Sequence, residues 1–349
     1  MSPTTHDDGR PTGAMATDGS GGRSGPAPAG SDEGGGVTRQ RRQILLITIA
    51  AVAIYVTLRL LPTGTNLNHM DFRVQGGNSI EMCDPLNPQF ISVVAARSPV
   101  TLSVKTDAPA VEGRAVRGTL TLRTSSGKAI APADLLVVHT KLLHLMVVDP
   151  TLTDYQHVHP EPTATPGGWT FAFTPHRAGR YRLFADFTPV ATGRGLYASV
   201  DVAVSPQAPG EPGIGAVETP APAASPAGIA TTLPTVEKDG RLFTLSGSPE
   251  PLRARQPIDF IFRITARDGG RVPLQPVMGA FAHLVAFDVG RTGFAHLHPA
   301  QQDLLKPPDA TAPQLEFKLT IPNPGKYVIW AQVNIAGADV FVPFSVIVQ

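Results

Sequence analysis

The segment HLMVVDPTLTDYQHVHP at residues 144 to 160 returns 139 residues later as HLVAFDVGRTGFAHLHP. His144 pairs with His283, Asp149 with Asp288, Tyr155 with Phe294, His157 with His296, His159 with His298 and Pro160 with Pro299. Further along, Gly179, Tyr181, Phe184 and Asp186 pair with Gly325, Tyr327, Trp330 and Gln332 at an offset of 146, so the loop between has gained seven residues. Self-similarity at this length is a duplication, and it requires one fold to be built twice.

The repeated unit reads as short alternating segments. In the first copy these are VTLSVKT, AVRGTLTLRT, LLHLMVVD, YQHVH, WTFAFT, RYRLFADF and LYASVDVAV. In the second they are RLFTLS, PIDFIFRIT, FAHLVAFDV, FAHLHP, LEFKLTI, KYVIWAQV and VFVPFSVIV. Seven strands at this spacing, in a chain with 35 Pro and 34 Gly, specify an all-β class with two immunoglobulin-like β-sandwiches in tandem. AGRYRL and PGKYVI each place a Gly two residues before a strand-opening Tyr, the pattern of a tyrosine corner. The stretch QAPGEPGIGAVETPAPAASPAG between the copies reads as a semi-rigid linker, so the sandwiches are expected to behave as separate beads.

Ahead of the repeats, RQRRQ precedes an apolar run from Ile44 to Leu61, interrupted only by Thr48, Thr57 and Arg59. Eighteen helical residues span about 27 Å, close to the thickness of a hydrocarbon core. No small-x-small cleavage site follows, so an uncleaved anchor is expected, with the lipid bilayer contacted through residues 44–61. Arg39, Arg41 and Arg42 keep the N-terminal side in the cytoplasm and send the repeats outside. The expected layout is a disordered cytoplasmic tail over 1–38, a transmembrane helix over 39–62, a membrane-proximal segment over 63–97, a first sandwich over 98–206, a linker over 207–229 and a second sandwich over 230–349. A net charge of +1 gives no field to attract nucleic acid, so none is expected as a partner.

On a strand, His157 and His159 face the same way. If the preceding strand pairs antiparallel with theirs, His144 lies opposite one of them, and three imidazoles converge; His283, His296 and His298 repeat the triangle. Three nitrogens at that separation suit a divalent transition metal. Alternation adds Met146 to the same face, and Asp186 on a neighbouring strand is a candidate fourth ligand or orienting group. Their counterparts, Val285 and Gln332, are poorer donors. His139 and His176 have no histidine counterparts and are expected to face solvent. The single cysteine, Cys83, excludes an intrachain disulfide, and with no cysteine in either repeat a blue-copper site is excluded there too. His69, Met70, Met82 and Cys83 gather before the first repeat at a spacing that fits no ligand template.

HLMVVDPTLTDYQHVHPEP followed by GRYRLFADF, with the second-copy versions, resembles bacterial secreted or membrane-anchored sandwich proteins built around H-L-x-V-V and F-x-H-x-H-P. It is loosely similar to the YtkA-like and CopC-like domains. The resemblance implies an immunoglobulin-like sandwich outside the cytoplasm and copper as the ion, with zinc as the alternative, carried by the two histidine trios. The leading expectation is a membrane-anchored, non-enzymatic protein that sequesters copper or hands it on. The competing expectations are an adhesion or assembly module with structural histidines that engages an envelope protein, and a zinc hydrolase, for which Glu161, replaced by Ala300, is the one acid beside the motif.

Overall fold

The computed structural model describes residues 34–60, 67–72, 88–95, 98–208 and 235–349. The expected tail up to residue 33, Met82 and Cys83, and the linker from residue 209 lie outside the described residues. The chain divides into two compact units, Met1–Pro62 and Thr63–Gln349.

Among the described residues the first unit contains one helix, α1 (Gly34–Leu60). From Ile44 to Leu58 it is apolar apart from Thr48 and Thr57, with Ile44, Leu46, Ile49, Ile54 and Leu58 all exposed, and residues Arg39–Leu58 are long and apolar enough to cross a membrane. Thr48 turns its hydroxyl back onto the Ile44 carbonyl (2.9 Å), so its polar group is satisfied within the helix.

The second unit holds both repeats. In the first, β1 (Val100–Thr106), β2 (Val116–Thr124), β3 (Leu135–Leu136), β4 (His144–Val148), β5 (Tyr155–Val158), β6 (Glu161–Pro162), β7 (Gly168–Phe173), β8 (Gly179–Pro189) and β9 (Leu196–Val204) form two antiparallel sheets. One has the order β1-β2-β7-β6. In the other, β5, β4, β8 and β9 lie side by side, with β3 also on β8. This is the immunoglobulin arrangement, in which the first, second and fifth main strands face a sheet built on the third, sixth and seventh. The second repeat follows with β10 (Thr235–Lys238), β11 (Arg241–Ser248), β12 (Pro257–Ala266), β13 (Leu274–Gln275), β14 (His283–Asp288), β15 (Phe294–Leu297), β16 (Gln314–Thr320), β17 (Gly325–Ile335) and β18 (Ala338–Val348). Its sheets are β10-β11-β12-β16 and β15-β14-β17-β18, with β13 also on β17.

Both tyrosine corners are present. The Tyr327 hydroxyl donates to the Asn323 carbonyl (2.8 Å). In the first repeat the Tyr181 hydroxyl donates to the buried Asp154 carboxylate and accepts from the Arg177 amide. The hairpins carrying the histidines are pinned alike: the Asp149 carboxylate accepts from the Thr151, Thr153 and Asp154 amides, and the Asp288 carboxylate from those of Gly290, Thr292 and Gly293. These aspartates fix turn length, and turn length fixes strand register.

The repeats are not separate beads. Strand β4 is buried on both faces: Leu145 and Val147 enter the core of the first sandwich, while Met146 and Val148 enter a third apolar cluster drawn from both repeats. In that cluster Met146, Val148, Tyr155 and Phe184 meet Val285, Phe287, Phe294 and Trp330. Phe184 stacks on Phe287 (6.0 Å between ring centroids) and tilts against Phe294 (5.1 Å). Trp330 donates its indole N–H to the Leu152 carbonyl (3.2 Å), Arg182 donates to the Arg291 carbonyl (2.7 Å), and Arg291 donates to the Arg180 carbonyl (2.6 Å). The runs HLMVV, HLVAF and VIWA lack the alternation of a half-solvated sheet because both of their faces are covered.

The segment expected to be a membrane-proximal spacer is in part a clasp. Leu67 and Phe72 enter the first core, Phe90 the second, and Ile91 and Val93 the shared cluster. Ile91 exchanges backbone hydrogen bonds with Phe294 (2.8 and 3.0 Å). Gly293 permits that approach, since a Cβ there would overlap the Ile91 carbonyl. Substituting Gly293→Ala is expected to cost about 1–3 kcal/mol through forced backbone displacement. Phe184→Ala is expected to cost about 3–5 kcal/mol. Urea unfolding of the full chain in detergent measures both, and the shared cluster predicts one cooperative transition for the two repeats rather than two.

Candidate metal centre

Each histidine trio is assembled by one hairpin and an incoming loop. The register Leu145↔Val158 and Met146↔His157, continued by one residue, sets His144 across from His159 with His157 on the diagonal. Leu284↔Leu297 and Val285↔His296 do the same for His283, His298 and His296. The candidate ligand atoms of each trio lie within 4.8 Å of one another, so the convergence expected from strand alternation is realised twice.

Hydrogen-bond partners assign the tautomers. His144 Nε2 lies 3.0 Å from the Val138 carbonyl, which only accepts, so Nε2 carries the proton and Nδ1 of the neutral ring is bare. His157 Nδ1 lies 3.1 Å from the Gln332 amide oxygen, and that amide is oriented by donating its NH2 to Asp339 (3.0 Å). His157 Nδ1 therefore donates and Nε2 is bare. The two bare nitrogens face each other at 3.2 Å.

The second trio repeats the arrangement. His283 Nε2 donates to the Val277 carbonyl (2.9 Å), and His296 Nδ1 donates to the Asp186 carboxylate (3.1 Å). The remaining lone pairs, His283 Nδ1 and His296 Nε2, stand 3.3 Å apart. Nε2 of His159 and of His298 are buried with no hydrogen-bond partner. In each trio two rings thus aim unprotonated nitrogens at each other while carbonyl, carboxylate and amide oxygens hold their outer N–H groups. That is how metal-ligating histidines are oriented.

Electrostatics agree with neutral rings. Burial, followed by the neighbouring histidines, holds His157 and His296 well below the usual histidine value. Burial takes His159 and His283 down to about 4 and lowers His144 and His298 as well. Burial raises the Asp186 carboxyl to about 6 against the opposing pull of His144 and His139. It is ionised near neutrality and accepts from His296.

Asp186 and Gln332 occupy equivalent positions, paired with His144 and His283 on adjacent strands. Each orients a histidine of the opposite repeat rather than its own. Met146 lies fully buried among the apolar side chains of the shared cluster. His139, expected to face solvent, is instead half-buried and stacked on His298 of the other repeat (3.4 Å between centroids, 20° between planes). His176 is exposed as expected and bonds Asp154 (3.0 Å). His139 precedes His144 by five residues, as Met278 precedes His283, and both adopt a positive φ in a tight loop. That matched spacing was the signal available in the sequence.

A surface cavity of about 620 Å³ reaches the first trio, with His159 in its wall beside Lys141, Glu161, Asp107 and Arg117. Lys141 and Glu161, 3.9 Å apart, become Ala280 and Ala300 in the second copy.

Unfolded histidines bind protons near pH 6.5, whereas the folded trios resist protonation until about pH 4 at His159 and His283. The metal-free protein should therefore keep its full stability above pH 6.5 and lose it progressively as pH falls toward 4. Thermal unfolding across that range measures this, and replacing His157 and His296 by Gln should flatten the dependence.

Two stretches, residues 95–205 and 235–349, match a family described as a domain of unknown function, DUF8832. Neither the YtkA-like nor the CopC-like family matches. No curated protein matches the sequence. Among solved structures, similarity extends to a DUF4785 family protein from Legionella pneumophila, at 12% identity and TM-score 0.22, covering 71% of this chain and 56% of that one. The D00-D0 domain of intimin is similar at 11% identity and TM-score 0.20, covering 72% and 99%. Likenesses this loose carry no argument about function, and this chain spans little more than half the Legionella chain.

Proposed function

Starting from a chain that belongs to the DUF8832 family and carries its domain twice, we propose a membrane-anchored metal-binding protein that holds copper outside the cytoplasm and sequesters it or hands it on. The observation that carries this reading is the opposition of two bare imidazole nitrogens at 3.2 Å in one trio and 3.3 Å in the other. Lone pairs at that distance repel unless a cation lies among them, and the outer N–H bonds prevent either ring from turning its proton inward. A purely structural histidine network would place a proton between each pair.

Neutral nitrogen donors favour Cu(II) over Zn(II) on intrinsic affinity, and imidazole also binds cuprous ion. The anchor is supported by helix α1, and the outward placement by Arg39, Arg41 and Arg42 near its N-terminal end. The charged cavity leading to His159 offers an entry and exit path to the first trio, which suits transfer as well as storage.

Isothermal titration of the full chain in detergent with Cu(I), Cu(II) and Zn(II) tests the proposal. Two ions per chain are expected, with copper tighter than zinc. Replacing His157 and His159 by Ala should remove one of them. Binding no tighter than the millimolar range, or binding unchanged in that variant, overturns the reading. Adhesion through structural histidines would instead leave partner capture intact in the same variant and in the presence of chelator.

A further inference from the structure

We propose that the two trios form one binuclear centre, in which two copper ions share a small bridging anion, rather than two independent sites; the inference rests on the metal-binding reading above. Ring separations within a trio run from 4.7 to 5.4 Å. Separations between trios are of the same size: His144 to His296 is 5.3 Å, His157 to His296 is 5.1 Å and His157 to His283 is 6.0 Å. His296 is therefore as close to the first trio as to His283 of its own. Two-metal sites hold their ions about 3.5–4 Å apart, and trios in ring contact bring two ions into that regime.

The orienting bonds cross between repeats in the same way. Asp186 of the first repeat holds His296, and Gln332 of the second holds His157. His139 of the first repeat covers His298 of the second. The ligands of each trio come from one repeat, but one ring in each is oriented from the opposite repeat, which ties the six rings together.

Charge identifies the ligand. Six neutral imidazoles contribute no negative charge, and Asp186 bonds a ring through its outer nitrogen rather than facing the lone pairs. Two adjacent divalent ions in a largely buried pocket repel strongly unless an anion lies between them. Hydroxide derived from water is the smallest such bridge, and azide of similar charge should replace it. The cavity at His159 gives such an anion access.

The test is electron paramagnetic resonance of the full chain in detergent, loaded with two equivalents of Cu(II), with bound copper measured independently. Coupling between adjacent ions should make the integrated signal fall far below one spin per copper, and one azide per copper pair should alter the spectrum. His298→Ala should hold a single copper that yields one full, unbroadened spin. Because the wild-type spin count needs no substitution, the test stands even if that variant fails to fold. Two coppers with full, isolated signals overturn the binuclear inference alone, as does a wild-type chain that holds only one copper. A chain that binds no copper overturns both this inference and the metal-binding reading.

Discussion

The structure depends on the face-to-face packing of two equivalent sheets. In an isolated sandwich the outer face of β5-β4-β8-β9 would meet water and carry polar residues. Here Met146, Val148, Tyr155 and Phe184 are buried against Val285, Phe287, Phe294 and Trp330, and that apolar contact brings the histidine edges of both sheets together. The hydrophobic effect supplies the driving force, and the strand registers decide which polar groups arrive at its border.

At that border the chemistry follows from enclosure. Burying a charged imidazole is costly, so the rings remain neutral. A neutral ring has one donor and one acceptor, and in His144, His157, His283 and His296 the donor is engaged outward by a group from the backbone or from the opposite repeat. The acceptors are left to face one another. A core that has excluded water leaves such lone pairs only a cation or a stray proton as partner, and burial disfavours the proton. The same interface that stabilises the pair of sandwiches therefore leaves at their shared edge two histidine trios that could hold a metal ion.

Duplication accounts for both the symmetry and its defects. Asp186 and Gln332 occupy equivalent places yet differ in charge, His139 corresponds to Met278, and Lys141 and Glu161 at the cavity of the first copy correspond to Ala280 and Ala300 in the second. His159 of the first trio lines a surface cavity, while His298 of the second is stacked against His139. Equivalent histidines thus stand in unequal surroundings in the two copies.

The sequence by itself determined the strand pattern, the duplication and the two trios, because period-two alternation and a repeated H-x12-H-x-H spacing act within a single hairpin. The apolar helix was equally legible, since length and composition alone specify it. The contact between the repeats was not: the Pro-rich linker between them suggested independence, and the unbroken apolar runs of β4 and β17 are equally compatible with other partners. Only the tertiary structure decided that Asp186 and Gln332 serve the opposite repeat, that His139 joins the cluster and that the segment at Ile91 clasps the second sandwich. These are long-range juxtapositions set by the packing of whole sheets, and no local spacing encodes them.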